Sequence, residues 1–596
     1  MLFMFIMLLN ENETMVDSAE VPNDSTAKDS AMVYEIPEII DFGSDSKIDR
    51  NLHSTQNIIP LDYDLNLTDA FIHTPLISIS YGDGQLNLIS KRGQYPGHTT
   101  LFLNNHRINN PLYGYIDLTK IPVQFIESIT VGQDYPGIQG LNVTSKVNHY
   151  DRPFSYIKYS TGDFGTNLYN ADLTRPITND LGFYLSGLYW NSHGHSLNDQ
   201  FEITSFYSNL YYNQIIPMRL DILYFANDHG IPSNTLDTLN ASAEDRFLDA
   251  CLVCGNSNHK IALYHTVNNS LYSDATAGVS YTNNVKNYGI ENTNYHNVKG
   301  YEINYRFIGQ LSQIESDLYG SHSTHSLILW AALKKSFSKF LLSLSNQGEL
   351  SNDNTFFYAP KISAGFNLFD STYLFSTLSR YYRIPSLSET FFPSVMPYSY
   401  YYIRGNEDLV PEYYWLQEIG IKRKNCTLTF YKYDYDNLII LQSDNGSYYT
   451  PHNIASWQTI GVESHCVARI RLSNHSDTTS ITEIAAGYSG NYLFKGDSLP
   501  FIPKGNSSIF ISFKRKTERF ALDLILQEQF VDIRQDIYGQ EVPLFRILSA
   551  VGTVRFLTLS FILRFDNILD ENYAYIPDYT MAPRHLNFTI KWEFWD

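Results

Sequence analysis

The stretch "HLNFTIKWEF", which runs from His585 to Phe594, alternates between apolar and polar residues without a break. The apolar set is Leu586, Phe588, Ile590, Trp592 and Phe594, and the polar set is Asn587, Thr589, Lys591 and Glu593. A period of two residues indicates a β-strand whose two faces meet different surroundings. "LTLSFILRFD" (557–566) repeats the pattern with Ile562 as the one exception, and "MRLDILYF" (218–225) follows it too. The chain after Val147 is therefore predicted to be all-β.

Alternation alone does not decide whether the apolar face meets lipid, because a soluble β-sandwich alternates as well. Three features favour lipid. The predicted strands approach the roughly 9 to 11 residues that a tilted membrane strand needs. Aromatic residues cluster near strand ends, as in "YLFSTLSRYYR" (373–383) and "GLYWNSHG" (187–194), where membrane barrels carry their aromatic girdles. The residues after Val147 also divide into about 22 strands of about 20 residues each with their turns, which fits a large plugged barrel.

The composition agrees with this prediction. Aromatic residues make up 15% of the 596 residues and charged residues only 17%, whereas a typical soluble protein has about 25% charged residues. The net charge of -20 argues against a nucleic-acid partner, which requires clustered Lys and Arg. The mean hydropathy of -0.24 fits a barrel, whose strands carry polar residues on the lumen face. No run reaches the roughly 18 apolar residues of a membrane-spanning helix.

Motifs of enzymatic chemistry are missing from the sequence. It contains no Gly-rich phosphate loop followed by Lys, no His-Glu-x-x-His pair and no nucleophile elbow, so we predict neither an enzyme nor a cofactor. "CLVC", from Cys251 to Cys254, has zinc-ribbon spacing, but no second pair at similar spacing follows. We interpret these cysteines as small buried residues or one local disulfide. His322 and His325 are interpreted as loop or lumen side chains, with a metal contact as the alternative.

The first forty residues carry three different signals. "MLFMFIMLL" (1–9) is too short to span a bilayer and is typical of the core of a secretory signal, although a disordered leader is the alternative. The polar, acidic residues that follow indicate a flexible tether, so 1–30 is predicted as leader and tether. "MVYEIPEIID" then predicts a short extended segment centred on Pro37.

Residues 41–147 predict a small α/β domain ahead of the barrel, which takes 148–596. "TLFLNNHRI" (100–108) is a hairpin signal, because Asn104 and Asn105 tolerate the positive φ of a type I′ turn. "KIPVQFIESITV" (120–131) opens with a proline suited to a first helical turn and closes on an alternating strand.

This early domain resembles the plug of the TonB-dependent outer-membrane receptors, especially their cobalamin and colicin-receptor-like branch. "LISKRGQYPGHTTLFLNNHRINN" (88–110) has the family's strand ending in Arg-Gly, at Arg92 and Gly93, then an apolar strand and a turn. Asn104 and Asn105 stand there in place of the family's Asp-Gly. "DLTKIPVQFIESITVGQDYPGIQG" (117–140) matches the next family segment, with Glu127 and Gly132 in register.

The predicted barrel carries further motifs of the same family. "SRYYRIPSLSETFFP" (379–393) resembles the Phe-Arg-Ala-Pro-Ser box, and "GNEDLVPEYYWLQEIGIK" (405–422) resembles the Gly-Asn-x-x-Leu-x-Pro-Glu segment. The matching residues are Arg383, Pro385, Ser386, Glu389, Gly405, Asn406, Leu409, Pro411, Glu412 and Glu418. "TIGVES" (459–464) and the closing strands are similar as well. The chain ends "EFWD", with Trp595 next to last, whereas such barrels commonly end on an aromatic residue.

The resemblance implies an all-β transmembrane barrel of about 22 antiparallel strands with an N-terminal α/β plug in its lumen, in the bacterial outer membrane. It implies active import of a scarce metal chelate, a ferric siderophore or a corrinoid such as vitamin B12. TonB and its inner-membrane complex would supply the energy. The predicted TonB box lies within 31–40, with an ordinary linker strand as the alternative. Its residues are Val33, Tyr34, Glu35, Ile36, Pro37, Glu38, Ile39 and Ile40.

The same resemblance places the ligand between plug apices, expected at 94–99 and 109–115, and the extracellular loops. "PSVMPYSYYYIRG" (393–405) would supply an aromatic wall for a flat chelate, and a girdle or a self-packed loop is the alternative. Haem is disfavoured, because haem-transporting relatives carry a His between the two barrel boxes and 386–406 contains none. The predicted ligand-contacting residues are Tyr95, His98, Tyr113, Tyr115, Tyr398, Tyr400, Tyr401, Tyr402 and Arg404.

Two other functions stay open at this point. One is a passive diffusion channel, which needs neither a plug nor a TonB box. The other is a surface adhesin or docking receptor that has lost transport, which the loose match of 31–40 to a TonB box favours. Dependence of uptake on TonB discriminates between these functions and active import.

Overall fold

The computed structural model describes residues 56–135, 138–147, 152–232, 240–256, 258–276, 278–352, 355–369, 371–393, 403–444, 448–472, 480–497, 499–577 and 579–595. The predicted leader and tether, 1–30, and the predicted TonB box, 31–40, lie outside these residues. No helix within the described ranges has the length and apolar character required to cross a membrane.

The N-terminal part of the described chain is a small plug built on a five-stranded mixed sheet. The plug strands are β1 (Gln56–Ile58), β2 (Ile77–Ser80), β3 (Asn87–Ser90), β4 (Thr100–Leu103), β5 (His106–Arg107), β6 (Ile126–Tyr135) and β7 (Ile138–Ser145). The sheet has the order β1-β6-β7-β4-β5, in which β4 and β7 are parallel, and β2 and β3 form a separate hairpin. Short 3₁₀ turns connect them at Asp69–Phe71, Pro96–His98, Leu118–Lys120 and Val123–Phe125.

Two local predictions in the plug are confirmed. Strands β4 and β5 form the expected hairpin, and Asn104 and Asn105 turn the chain with φ of 49° and 77°. Asn and Asp are among the few residues that adopt the left-handed region at low cost. The helical turn expected near Pro122 is the 3₁₀ turn Val123–Phe125, after which β6 begins at once.

The rest of the chain forms a closed antiparallel barrel of 22 strands, as predicted. The wall strands are β8 (Phe154–Gly162), β9 (Asn167–Pro176), β10 (Leu181–Ser192), β11 (Phe201–Tyr212), β12 (Met218–Gly230), β13 (Ala241–Gly255), β14 (His259–Asp274), β15 (Val279–Val298), β16 (Tyr301–Ser316), β17 (Gly320–Ser336), β18 (Phe340–Ser351), β19 (Phe356–Phe369), β20 (Thr372–Arg383), β21 (Glu412–Arg423), β22 (Cys426–Asp444), β23 (Tyr448–Leu472), β24 (Ile481–Lys495), β25 (Gly505–Lys516), β26 (Phe520–Val531), β29 (Phe545–Phe556), β30 (Leu559–Asp566) and β31 (His585–Trp595). Outside the wall lie the short hairpin β27 (Arg534–Gln535) and β28 (Glu541–Val542), the 3₁₀ turn Asp163–Gly165 and the short helix Leu387–Phe391. Strand β31 pairs with β8 and closes the ring, so the described strands of the wall leave no free edge.

The two faces of the closing strand β31 are those expected from the alternation. Trp592 is 51% exposed on the outer face, whereas Glu593, the next residue, is 3% exposed on the lumen face. In β30 the exception Ile562 faces the lumen and packs with Tyr63 of the plug. The alternation of apolar and polar residues in β30 is thus interrupted at Ile562, where the lumen-facing side chain contacts an apolar residue of the plug.

The plug lies inside this ring. Its side chains pair with lumen-facing residues on strands around the wall, including β13, β21, β23, β30 and β31. Its apolar core continues into the wall on one side, where the ring of Phe125 stacks on that of Tyr207 at 5.9 Å. Burial of a large apolar side chain contributes roughly 1.5 to 3 kcal/mol, so this shared core holds the plug to β10–β13.

Candidate functional site

The barrel has two unlike ends. At one end the strands are joined by connections of very different length, among them 384–411, 532–544 and 567–584. At the other end several connections are tight turns, such as 299–300 and 424–425, and both the start of β8 and the end of β31 lie there. We call these the long-loop end and the short-turn end.

Three turns of the plug reach the long-loop end. The predicted apices 94–99 and 109–115 both lie there, since His98 bonds to the first residue of β21 and Leu112 accepts a backbone hydrogen bond of 2.8 Å from Ser388. The third turn, 81–86, joins β2 to β3, and Gln85 donates to the carbonyl of Gly230 at 3.0 Å. This third apex was not predicted from the sequence, although "YGDGQ" (81–85) is a turn signal.

The turn 94–99 contacts a buried network of polar and charged side chains. His98 is 2% exposed, and its Nε2 lies 2.6 Å from an Oε of Glu412. The other Oε of Glu412 lies 2.5 Å from Arg383, whose guanidinium also contacts Glu389 at 2.9 Å. Glu389 belongs to a capping box with Ser386, which fixes the start of the helix Leu387–Phe391. The plug turn is therefore coupled to the connection 384–411 through the side chains of His98, Glu412 and Arg383.

Aromatic rings surround this network. The ring of Tyr95 stacks on His98 at 6.4 Å, and Tyr414 and Tyr435 present their edges to His98 at 5.8 Å. Burial and the neighbouring Glu412 raise the pKa of Tyr95, so its hydroxyl stays protonated at neutral pH. A half-buried Tyr95 can offer a ligand both a ring face and a hydroxyl, whereas His98 already has a partner.

The second predicted apex is also aromatic. Tyr113 and Tyr115 stack at 5.7 Å, and Tyr319 of the connection after β16 meets Tyr113 edge-on at 6.4 Å. Burial, with the neighbouring Asp117, raises the pKa of Tyr115 to about 12. Both tyrosines are half-buried, so they form a neutral aromatic surface beside the helix Leu387–Phe391.

The remaining predicted ligand contacts lie in the connection 384–411. Tyr398, Tyr400, Tyr401 and Tyr402 fall outside the described residues. Arg404 is exposed, and its backbone N–H donates to the carbonyl of Tyr449 at 3.0 Å. The structure thus brings Tyr95, His98, Tyr113, Tyr115 and Arg404 to the same end of the barrel, and their contact with a ligand stays a prediction.

One arginine anchors the plug to the wall below the turn 94–99. Arg92 is 1% exposed, and it contacts Glu463 at 2.6 Å and Glu418 at 2.9 Å. Its guanidinium also lies 4.8 Å from the ring centroid of Tyr431. Burial by itself would lower the pKa of Arg92, but the two carboxylates outweigh burial and raise it. We call Arg92, Glu418 and Glu463 the plug anchor.

The position of Arg92 depends on a turn in which two consecutive residues have left-handed backbone. Arg92 and Gly93 have φ of 53° and 74°. A Cβ at Gly93 would lie 2.9 Å from Leu493 of the wall, so glycine permits both the turn and the close approach.

Further ion pairs hold the first part of the plug to β30 and β31. Asp69 bonds to Arg564 at 2.7 Å, and Asp62 bonds to Lys591 at 2.9 Å. Burial opposes ionisation of Asp62, but Lys591 prevails and lowers its pKa to about 2. For Asp64 burial prevails and, with the neighbouring Asp69, raises its pKa to about 7.

Metal-binding residues do not converge within the described part of the chain. No group of three or more His, Cys, Asp or Glu residues there is placed to hold a metal ion. Cys251 is buried and free, and Cys254 is free as well. Cys426 and Cys466 form a disulfide between directly opposed positions of β22 and β23, and this pairing was not predicted from the sequence.

A closed strand wall with an apolar outer surface and a plug anchored in its lumen defines the class of plugged transmembrane barrels. The chain belongs to the TonB-dependent receptor family, whose "TonB dependent receptor-like, beta-barrel" model matches residues 129–595. Members of this family are outer-membrane proteins. The cobalamin and colicin-receptor-like branch within the family stays a prediction. No curated protein matches the chain.

Solved structures share this fold at low sequence identity. The siderophore receptor PirA from Acinetobacter baumannii is 13% identical with a TM-score of 0.71, covering 91% of this chain and 98% of that one. A variant of the ferric enterobactin receptor PfeA from Pseudomonas aeruginosa, in complex with enterobactin, is 13% identical with a TM-score of 0.70, covering 91% and 100%. The FrpB iron transporter from Neisseria meningitidis is 8% identical with a TM-score of 0.71, covering 91% and 99%.

Proposed function

We propose that this protein is an outer-membrane active transporter that imports a ferric siderophore with energy from TonB. The observation that carries the proposal is a plug held in a closed barrel by buried ion pairs, above all the plug anchor. Structural relatives named as siderophore receptors and as an iron transporter support the same function. A corrinoid, the other chelate expected from the sequence, is the competitor to test.

The energetics of the plug argue against a passive role, because its ion pairs must break before a chelate can pass. Removing one partner of a buried ion pair costs roughly 3 to 5 kcal/mol, and the outer membrane holds neither ATP nor an ion gradient of its own. An external pull is therefore required. The predicted TonB box, 33–40, would pair with an edge strand of TonB through backbone hydrogen bonds, which is the usual mode of β-augmentation.

The same proposal assigns the two ends of the barrel. Outer-membrane barrels have short periplasmic turns and longer extracellular loops, so the long-loop end faces the outside. The three plug apices and the aromatic rings of Tyr95, Tyr113 and Tyr115 then lie where a ligand arrives. In this proposal the plug takes residues 41–147 and the barrel takes 148–596.

Uptake in matched hosts tests the proposal. Cells that lack their own siderophore receptors would express the chain with or without TonB, and uptake of radiolabelled ferric siderophores and of labelled cobalamin would be measured. We expect saturable uptake of a ferric chelate only with TonB. Uptake that is equal without TonB contradicts active import, and binding without uptake favours a docking receptor.

A proline substitution tests the predicted TonB box in the same cells. Ile36→Pro should abolish uptake and leave ligand binding unchanged, because proline removes a backbone N–H from the pairing strand. Ala27→Pro, in the predicted tether, is the matched control and should leave uptake unchanged. Uptake that survives Ile36→Pro would place the box elsewhere in the chain.

A further inference from the structure

We propose that a cavity at the long-loop end binds a positively charged organic group, so that the imported chelate carries a cationic arm. The cavity lies against β10, β11 and β29–β31, away from the plug turn 94–99. The inference rests on the proposed function for the identity of the cargo, while the charge preference of the cavity follows from its own residues.

The cavity has the size of an arm and not of a whole chelate. Its volume is about 140 Å³, which a short alkylammonium chain fills. The plug closes one side with the turn Asp69–Phe71 and with the third apex, 81–86. Connections 193–200 and 567–584 close the other side.

Negative charge dominates the lining. The four carboxylates of Asp69, Asp83, Asp199 and Asp566 line it, together with the guanidinium of Arg564. Arg564 is already engaged, at 2.7 Å from Asp69 and 2.6 Å from Asp566.

Two histidines also line the cavity, and they do not reverse this balance. His195 contacts Asp199 at 2.9 Å, and His585 lies 3.6 Å from Asp566. Even with both histidines protonated, the cations in the lining number three against four carboxylates. An additional cation is therefore favoured at any pH at which the carboxylates are ionised.

One carboxylate oxygen lacks a hydrogen-bond partner. Asp199 is 2% exposed, and its Oδ2 takes the contact with His195. Its Oδ1 has no hydrogen-bond partner among the described residues, and it lies 3.6 Å from the position that a Cβ on Gly82 would occupy. A buried carboxylate oxygen without a donor is costly, so this atom is set to accept a hydrogen bond from a ligand.

Aromatic side chains complete the cavity. Phe164, Tyr573 and Tyr575 line it, and aromatic faces attract ammonium and guanidinium groups. The described residues contain no group of three acidic or histidine side chains that could hold a metal ion. Dispersed carboxylates beside aromatic rings suit an organic cation and not a bare metal ion.

The charge of the connections points the same way. By sequence, the connections at the long-loop end carry fifteen Asp and Glu residues against four Lys and Arg, whereas those at the short-turn end carry four of each. A negative entrance raises the local concentration of cationic ligands and lowers that of anionic ones. A tri-anionic catecholate complex is the least suited ferric chelate.

Three ferric chelates test the inference on the full chain in detergent. They are a trihydroxamate with a free primary ammonium, its N-acetylated form and a tri-anionic tris-catecholate. Tryptophan fluorescence quenching at pH 7.5 gives their dissociation constants. We expect the ammonium form to bind about tenfold or more tightly than the acetylated form, as for a hydrogen bond to a charged group. Asp199→Asn and Asp83→Asn should each reduce that preference. Glu518→Gln, which changes an exposed acid in the short-turn connection 517–519, should leave it unchanged.

Each outcome decides the inference. Equal binding of the ammonium and acetylated forms, tightest binding of the tris-catecholate, or no binding of all three overturns it. Asp83 is exposed, so Asp83→Asn tests the cavity even if Asp199→Asn fails to fold. If the ammonium and acetylated forms bind equally while uptake still requires TonB, the cation site is overturned and the transport proposal stands. If the ammonium form still binds more tightly while uptake does not depend on TonB, the transport proposal is overturned and the cation site stands.

Discussion

In the variant Arg92→Met, the plug should leave the barrel at a much lower urea concentration than in the unaltered chain. The change removes the guanidinium of the plug anchor and leaves Glu418 and Glu463, whose side chains are 4% and 6% exposed, as buried like charges. Breaking a buried ion pair in this way costs roughly 3 to 5 kcal/mol. With a urea dependence of about 1 to 3 kcal/mol per molar for a domain of this size, the midpoint of plug release should fall by about 2 M.

Planar-bilayer conductance against urea measures this release, because current appears when the plug leaves the lumen while the barrel remains folded. The triple variant Arg92→Met, Glu418→Gln, Glu463→Gln is the control, since it removes the buried charges together with their partner. Replacing all members of a buried ionic group with uncharged residues of similar size is often neutral, so most of the lost stability should return. A midpoint of the single variant equal to that of the unaltered chain, or a triple variant as weak as the single one, would refute the role of the plug anchor.

The remaining predictions concern Asp64 and the outer surface. Burial keeps a proton on Asp64 of the folded plug up to about pH 7, whereas the same carboxyl in the unfolded chain loses its proton near pH 4. The free energy of unfolding therefore falls as pH rises through this window. Asp64→Asn should raise the free energy of unfolding by up to about 4 kcal/mol at pH 8 and should leave it unchanged at pH 3.5. Equal gains at both pH values, measured by the urea midpoint of plug release, would contradict the shift. Ile511→Arg, on the outer face in the middle of β25, should destabilise the barrel in lipid by about 2 to 4 kcal/mol, whereas Phe520→Arg at the end of β26 should cost about 1 or less. Equal costs in unfolding experiments in lipid vesicles would mean that the outer surface does not meet hydrocarbon.

Local sequence predicted the wall well, because alternation in a strand reports directly on its two faces. The faces of β31 follow "HLNFTIKWEF" residue by residue, and the Asn104–Asn105 turn follows from backbone preference alone. The exception Ile562 was visible in the sequence, but its reason was not, because Tyr63 of the plug lies far away along the chain.

The candidate site was less predictable, because its contacts depend on the register of the whole barrel. Arg92 and its partners are 326 and 371 residues apart in sequence. Motif resemblance marked Arg92 and Glu418 without showing that they touch. Cys426 and Cys466 likewise become opposite only once β22 pairs with β23. Asp199 lies in an unremarkable connection, and no local signal distinguishes it.

Bilayer conductance of the full chain and of a chain lacking residues 41–147 tests the central claim most directly, namely that the N-terminal region closes the lumen of a membrane barrel. We predict that the full chain stays closed and that the shortened chain passes a large steady current. A full chain that conducts as strongly as the shortened one would contradict the claim.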